Sequence, residues 1–368
     1  MTATLRIAWE NLIRKGTASV TVSSENAAAP GRWVADQLRS KKWRSKTGWN
    51  IVSGVNDAID FNNGSDRSAL LAEGNYATGD LLAAQIQTAL TAAYGTGTWT
   101  VTYSSSTFKF AITHSATAFA IKWLTGSNNA RSSCKELGYA YSDTSSALTQ
   151  TSTNAVYCSR EYIALDCATA QAVKACYLIE ENLTASAVVK LQGSASTLDG
   201  AGANSSPAVN QTLSGDPLLK FMSTQTYRYW RILIDDCGNS AGYVEVGVPF
   251  IGGYEDFTNG YAVGFETGRT ELSTIDMADR GAHFVNVKPG AEMRDLALLM
   301  LSDSEYENLR GIISNCPPGS NFIVSMDPVN DPDDTLYMYF GDRVQVTHVP
   351  LSSGNSWTAL LPLREALA

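Results

Sequence analysis

Histidine is the usual proton carrier near neutral pH and a frequent metal ligand, and this chain of 368 residues has three. His114, His283 and His348 are widely separated, and none has a cysteine or a second histidine at metal-ligand spacing. Each lies in a run that is typical of a strand or of extended chain. We therefore predict that all three are structural residues.

Two pairs of adjacent carboxylates could in principle exchange a proton: Glu180 with Glu181, and Asp235 with Asp236. Consecutive residues on a strand point to opposite faces, so neither pair would act on one substrate. No GxSxG sequence places a serine on the strained turn that acyl transfer uses. The sequence thus predicts no catalytic residue and a protein that is not an enzyme.

Aspartates are concentrated in DPVNDPDDTLY, residues 327–337. Calcium prefers such oxygen ligands, but the order and central glycine of an EF-hand loop are missing, and two prolines stiffen the segment. We predict a solvated turn, and neither a metal nor a cofactor for the chain.

Six cysteines occur without a CxxC spacing or a neighbouring histidine. They are Cys134, Cys158, Cys167, Cys176, Cys237 and Cys316. We predict free, mostly buried thiols, made in a reducing compartment.

The charge balance argues against a nucleic-acid partner. The net charge is −9, and a nucleic-acid groove would need a basic stripe to neutralise phosphates. The basic run RSKKWRSK, residues 39–46, is short and isolated, so we predict a solvated loop there. No apolar run approaches the roughly 20 residues that span a bilayer, and the N-terminus does not match a signal peptide. We expect no membrane span.

A helix and a hairpin are the clearest local elements. GNYATGDLLAAQIQTALTAAY, residues 74–94, has apolar residues at helical spacing after a cap at Thr78 or Asp80. The runs TWTVTY and FKFAIT, separated by SSST, predict a hairpin whose inner residues pack on the helix. Those inner residues are Trp99, Val101, Phe108 and Phe110. A second short helix is predicted in NNARSSCKELGY, followed by a Ser/Thr-rich linker at residues 142–157.

Strands are predicted on both sides of this unit. TASVTVSS precedes it, and YIALDC, AVKACYLIEEN, SAVVKLQGSAS, YRYWRILIDD and GYVEVGVPFIGG follow it, with a flexible Gly/Ser-rich loop at residues 193–215. Extended runs come after residue 254, then AEMRDLALLMLSDSEYENLRGIISN, which reads as helical, and three final strands. The regular spacing of the strands indicates a β-sandwich.

The opening SSENAAAPGRW and the later runs YWRILIDD and YVEVG, residues 229–236 and 243–247, resemble a discoidin-like, galactose-binding-like jelly roll. The resemblance implies an α+β, mainly β fold: a jelly-roll β-sandwich interrupted by an inserted small α+β module and followed by a C-terminal α+β domain. The implied boundaries are 1–59 for the N-terminal segment and first part of the jelly roll, 60–156 for the module, 157–253 for the remaining jelly roll and 254–368 for the C-terminal domain.

A second resemblance covers more of the chain. The helix and hairpin unit is similar to a module of tailed-phage virion proteins. Asp279, Arg280, Gly281 and Phe284, ahead of a helix and then MDP, are similar to distal tail and tail-tip proteins of long-tailed phages. The resemblance implies a structural tail-tip protein that forms an oligomeric ring and contacts other phage tail proteins. Its implied location is the virion tail, assembled in the host cytoplasm.

Two other functions remain open. The chain could be a carbohydrate-binding protein that contacts a host-surface glycan through jelly-roll loops, with Trp33, Trp43 and Trp49 as candidate glycan or partner contacts. Core packing is favoured for at least two of these tryptophans. A hydrolase with an accessory jelly roll would instead require a concave cluster of carboxylates and histidine.

Overall fold

A computed structural model gives the structure of the protein. It describes residues 4–36, 38–215, 218–258, 266–270, 274–277, 283–286, 290–317, 319–351 and 354–367.

The described chain is mostly β structure, with two α-helices. The strands of the first half are β1 (Leu5–Ala8), β2 (Ser19–Val22), β3 (Trp43–Arg44), β4 (Trp49–Ile51), β5 (Ala58–Asn62), β6 (Asp66–Leu70), β7 (Gly74–Tyr76), β8 (Trp99–Ser104), β9 (Lys109–His114), β10 (Ala120–Ile121), β11 (Thr149–Thr151) and β12 (Glu161–Glu181). The strands of the second half are β13 (Val188–Ser194), β14 (Val209–Thr212), β15 (Leu218–Asp235), β16 (Glu245–Gly252), β17 (Glu255–Phe257), β18 (Glu266–Thr270), β19 (Thr274–Met277), β20 (His283–Asn286), β21 (Ala291–Leu301), β22 (Phe322–Asp327), β23 (Asp331–Phe340), β24 (Gln345–Leu351) and β25 (Gly354–Glu365). The helices are α1 (Gly79–Ala93) and α2 (Asp303–Asn315).

Helix α1 forms where the apolar spacing predicts it. Thr78 is the N-cap, and its side chain accepts a hydrogen bond from the amide of Leu81. The buried face packs on the hairpin β8–β9, where Trp99, Val101 and Phe110 are also buried. Phe108 is an exception to the prediction, because it lies in the turn with φ of 56° and packs on the ring of Tyr157.

Two other predictions for this unit were wrong. The predicted second helix is only a 3-10 turn at Asn129–Arg131, because the following residues turn to bond β5: the amide of Ser133 donates to the carbonyl of Ala58. The predicted linker contains β11, which pairs with β9. In both places tertiary hydrogen bonds decide a conformation that local sequence leaves open.

A seven-stranded antiparallel sheet, the sandwich sheet, has the order β14-β13-β15-β12-β16-β3, with β2 paired to β12. Strand β12 is long and bends at two register shifts, one between Asp166 and Gln171 and one between Val173 and Ala175. Its first part pairs with β2 and its last part with β16. The core beneath this sheet includes Trp43, Ile163, Leu191, Trp230 and Val246.

The basic run at residues 39–46 is not a solvated loop. Part of it is the edge strand β3, and its cations other than Lys46 form ion pairs. Arg39 bonds Glu180 on β12, Glu365 on β25 and the carbonyl of Ala366, while Arg44 bonds Glu245. This run therefore joins two sheets through ion pairs.

The C-terminal sheet has the order β17-β1-β22-β23-β25-β21-β18, with β24 on β25. The run AEMRDLALLML was predicted to be helical but is β21. It pairs on both sides, with β25 and with β18, and this pairing favours a strand, in which every second residue faces the same side of the sheet. Helix α2 begins after Ser302, which forms a capping box with Glu305. Asp279, Arg280 and Gly281 lie outside the described residues.

The sandwich sheet and the C-terminal sheet pack on each other through a shared apolar cluster. Its buried members are Ala8, Ala175, Tyr177, Ile179, Leu219, Val248, Phe250, Ile323, Tyr337 and Ala366. Both α-helices of the described chain fall short of the length and apolarity that a bilayer crossing needs.

Candidate functional site

The three tryptophans proposed as contacts are not brought together. Trp43 is 0% exposed in the core under the sandwich sheet, and its indole N–H donates to the carbonyl of Ser24. Trp49 is 3% exposed in the core around α1 and donates to the carbonyl of Glu136. Buried rings cannot stack on a sugar, so only the half-buried Trp33 presents a surface.

The histidines and the acidic segment at residues 327–337 lie in strands and turns, where His114, His348 and Asp327 contact neighbouring residues of the fold. His114 is buried, and its Nε2 lies 2.8 Å from the carbonyl oxygen of Thr96. The ring of His348 packs on Trp357, and His283 lies in β20. Asp327 binds Asn330 within the tight hairpin between β22 and β23. Within the described ranges, no three His, Cys, Asp or Glu side chains are grouped to hold a metal ion.

All six cysteines are free and buried, as predicted. Burial raises the pKa of Cys167 to about 11 and that of Cys316 to about 11. Burial also raises the pKa of the other four thiols. These groups are therefore thiols and not nucleophilic thiolates near neutral pH.

One polar cleft lies on the module that contains α1, with a volume of about 620 Å³. Its charged groups already have hydrogen-bond or ion-pair partners. Asp60 accepts hydrogen bonds from Ser68 and from the amide and side chain of Asn128, and Lys122 lies 3.6 Å from Asp143. Little hydrogen-bonding capacity is left there for a ligand.

Another cleft, which we call the sandwich cleft, has a volume of about 380 Å³ and lies between the sandwich sheet and the module of α1. It is lined by Lys135, Tyr141, Arg160, Val188, Lys190, Gln192, Ala203, Asn204, Ser205, Ser206, Asn210, Leu233 and Asp235. Its size falls in the range of small-ligand pockets, from about 300 Å³ upward.

Strand pairing explains how one wall of the cleft forms. In the register of β13 with β15, Val188 is opposite Asp235 and Lys190 is opposite Leu233. In the register of β13 with β14, Gln192 is opposite Asn210. Opposite residues share a face, so these side chains project together, while Val189 and Leu191 project into the core.

The loop at residues 195–208 covers part of this face and is held by Arg231. The Arg231 guanidinium is fully buried and donates to the carbonyls of Leu198, Ala201 and Gly202 and to the side chain of Gln192. Burial lowers its pKa to about 10, and it still carries its charge at pH 7. The Gly/Ser-rich segment predicted to be a flexible loop is thus held in place in large part by the Arg231 side chain.

A buried ion pair forms the floor of the cleft. Arg160 donates to both carboxylate oxygens of Glu136, at 2.7 and 2.8 Å, and the side chains are 3% and 0% exposed. Burial alone would lower the pKa of Arg160, but the charge and hydrogen bonds of Glu136 raise it overall. Arg160 also bonds Asn204, which joins the pair to the loop at residues 195–208.

Several polar groups at the cleft surface keep hydrogen-bonding capacity. The Lys190 ammonium makes no hydrogen bond or ion pair with any other described residue, and the Asn210 amide donates to none. Asp235 lies 3.8 Å from Lys135, and the half-buried ring of Tyr141 lies at the side. Such an arrangement can bind a polar ligand, and it contains no nucleophile with an adjacent base.

Sequence reasoning missed most of these residues. Asp235 was considered only as half of a carboxylate pair, and the structure does separate the two: Asp236 is buried and accepts from Thr184. The alternation in VVKLQGS was the available signal, because it places Lys190 and Gln192 on one face. Nothing local indicated that Lys135 and Tyr141 lie beside them.

Comparisons with known proteins add little. No family model and no curated protein matches the chain. Among solved structures, it is similar to chitosan-binding module 1 from a chitosanase/glucanase of Paenibacillus sp. IK-5. A selenomethionine-labelled mutant of that module has 10% identity over 67% of this chain and 99% of that chain, with a TM-score of 0.26. The module without this label has 10% identity, coverages of 66% and 99%, and a TM-score of 0.27. At these values the likeness carries no argument about fold or ligand.

Proposed function

We propose that the chain binds carbohydrate at the sandwich cleft without transforming it. The observation that supports this is that the donor end of the Asn210 amide and the Lys190 ammonium, which bond no other described residue, lie on one sheet face in a cleft that also contains the ring of Tyr141. Sugar hydroxyls pair with such groups, and sugar C–H faces pack on aromatic rings. Glycoside hydrolysis needs a pair of carboxyl groups, and Asp235 is the only carboxylate among the described residues that line the cleft, which is why we propose binding and not hydrolysis.

The finer description of the fold belongs to the same proposal. We take the sandwich sheet as a jelly roll interrupted by the module at residues 60–156, with the boundaries 1–59, 157–253 and 254–368 for the other parts. Support comes from the sheet order, because β2 and β3 precede the module in the chain and pair with β12 and β16, which follow it.

Replacing Asn210 with alanine should weaken glycan binding about tenfold, because it removes an amide that can donate and accept at the cleft surface. The matched control is Gln211→Ala, one residue away on the same strand, whose neighbours in the register place it on the opposite face. Affinities would be measured by isothermal titration with the strongest glycan found on an array. No glycan binding by the unaltered protein, or equal effects of the two substitutions, would refute the cleft as the site.

A second candidate function is a structural role in the tip of a phage tail, and a separate surface favours it. Leu299, Met300 and Leu360 are 44%, 63% and 44% exposed, and β21 and β25, which carry them, are neighbours in the C-terminal sheet. Adjacent exposed apolar residues mark association surfaces. On this proposal a second copy covers the patch to build a ring, other tail proteins are neighbours, and the location is the virion tail after assembly in the host cytoplasm.

Light scattering coupled to size exclusion would test this second role. We expect an oligomer for the unaltered protein and a monomer for the double variant Leu299→Ser/Leu360→Ser, because polar side chains remove the gain from burying the patch. Leu81→Ser, which changes an exposed leucine on α1, should leave the oligomer intact. A monomer at every concentration of the unaltered protein would contradict the ring.

A further inference from the structure

The charges around the sandwich cleft are unequal. Three cationic side chains line it, and Arg160 is neutralised by Glu136 beneath it. Lys135 has a partial counter-charge in Asp235 at 3.8 Å. Lys190 has none among the described residues.

Lys190 is also well placed to meet a ligand. Its backbone lies between β14 and β15, opposite Thr212 on one side and Leu233 on the other, so the base of the side chain is fixed by two ladders of hydrogen bonds. The neighbouring Leu191 is fully buried, which fixes the face that Lys190 occupies. A fixed, unpaired cation beside amides and hydroxyls is suited to an anionic group on a polar ligand.

We propose that the sandwich cleft selects an anionic glycan, with the acidic group of the glycan at Lys190. This inference rests on the proposed carbohydrate-binding function and names its ligand class. A carboxylate, sulfate or phosphate on a saccharide would supply the missing counter-charge. The amide of Asn210 would contact the sugar hydroxyls.

An array of neutral, uronate-bearing, sialylated, sulfated and phosphodiester-linked glycans separates these sources of negative charge. The strongest acidic hit is then titrated against its neutral counterpart, such as a uronic-acid oligosaccharide against its methyl ester. We expect about tenfold tighter binding of the charged form, lost in Lys190→Gln and weakened by added salt. Asp235→Asn should strengthen binding severalfold because it removes a negative charge from the cleft.

Lys220→Gln is the matched control, because Lys220 lies on β15 and lines a different surface depression. Circular dichroism and melting temperature would establish that each variant is folded. Binding of neutral glycans only, or of acidic glycans with equal affinity in Lys190→Gln, would overturn the inference and leave the proposed function standing. No binding to any glycan would overturn the proposed function itself.

Discussion

Glu136→Gln should lower the free energy of unfolding by about 3–5 kcal/mol, because it leaves the Arg160 guanidinium buried without a countercharge. The pair is almost completely inaccessible, with side-chain exposures of 3% and 0%. Arg160 directly precedes β12 of the sandwich sheet, and Glu136 belongs to the module of α1. The pair therefore also joins these two parts. Urea unfolding followed by tryptophan fluorescence would measure the loss, since Trp49 donates to the carbonyl of Glu136.

Two further variants test whether the loss of stability in Glu136→Gln comes from the buried, unpaired charge and not from a nonspecific effect of the substitution. Lys135→Gln breaks the neighbouring pair with Asp235, which is 41% and 23% exposed, and should cost less than about 1 kcal/mol. The double variant Glu136→Leu/Arg160→Met removes both charges and should recover much of the stability lost in Glu136→Gln. A double variant that is no more stable than Glu136→Gln would contradict this explanation.

The second large effect is a loss of stability as pH rises, caused by Glu161. This carboxyl is fully buried, and burial raises its pKa from 4.5 to about 7 although Ser23, Ser24 and Ser159 donate hydrogen bonds to it. Below the unfolded pKa the group is protonated in both states. Between that value and about 7 only the unfolded chain releases the proton, so the contribution to stability is lost.

The expected loss is on the order of 3 kcal/mol between pH 4.5 and pH 8, since one pKa unit corresponds to about 1.4 kcal/mol. Unfolding free energies of the unaltered protein and of Glu161→Gln, measured across this range, would test it. The glutamine variant should show a flatter profile and gain relative stability at pH 8. The exposed Glu73→Gln is the control and should follow the unaltered protein. Parallel profiles for all three would exclude Glu161 as the cause.

Local patterns predicted the elements whose stabilisation is local. Helix α1 has both a cap at Thr78 and an apolar face with a period of 3.6, and each signal alone indicates the same helix. The prediction for β21 was wrong because a short run of leucines fits a helix or a buried strand equally well. Its pairing with β18 and β25 decides between them, and β25 lies more than fifty residues later in the sequence.

The candidate site could not be predicted from the sequence for the same reason. Lys135 and Tyr141 come from the module, whereas Lys190, Asn210 and Asp235 come from three strands of the sandwich sheet. These groups are far apart in the sequence, so no spacing motif connects them. They meet only in the folded chain, through the register of β13 and the ion pair of Arg160 with Glu136. Two of the three tryptophans that were singled out, Trp43 and Trp49, instead fill cores, as large aromatic side chains often do.

Arg231 holds the loop at residues 195–208 largely by main-chain carbonyls, which every amino acid possesses. The side chains of Asn204 and Asp199 also bond, to Arg160 and Tyr162, but cleft-lining residues such as Ser206 take no part in the anchoring. Their identities could change over evolutionary time, or in a laboratory library, while the backbone stays attached to the same guanidinium. The fold thus contains a segment where ligand preference could be altered at little cost in stability, much as in an antibody loop on its framework.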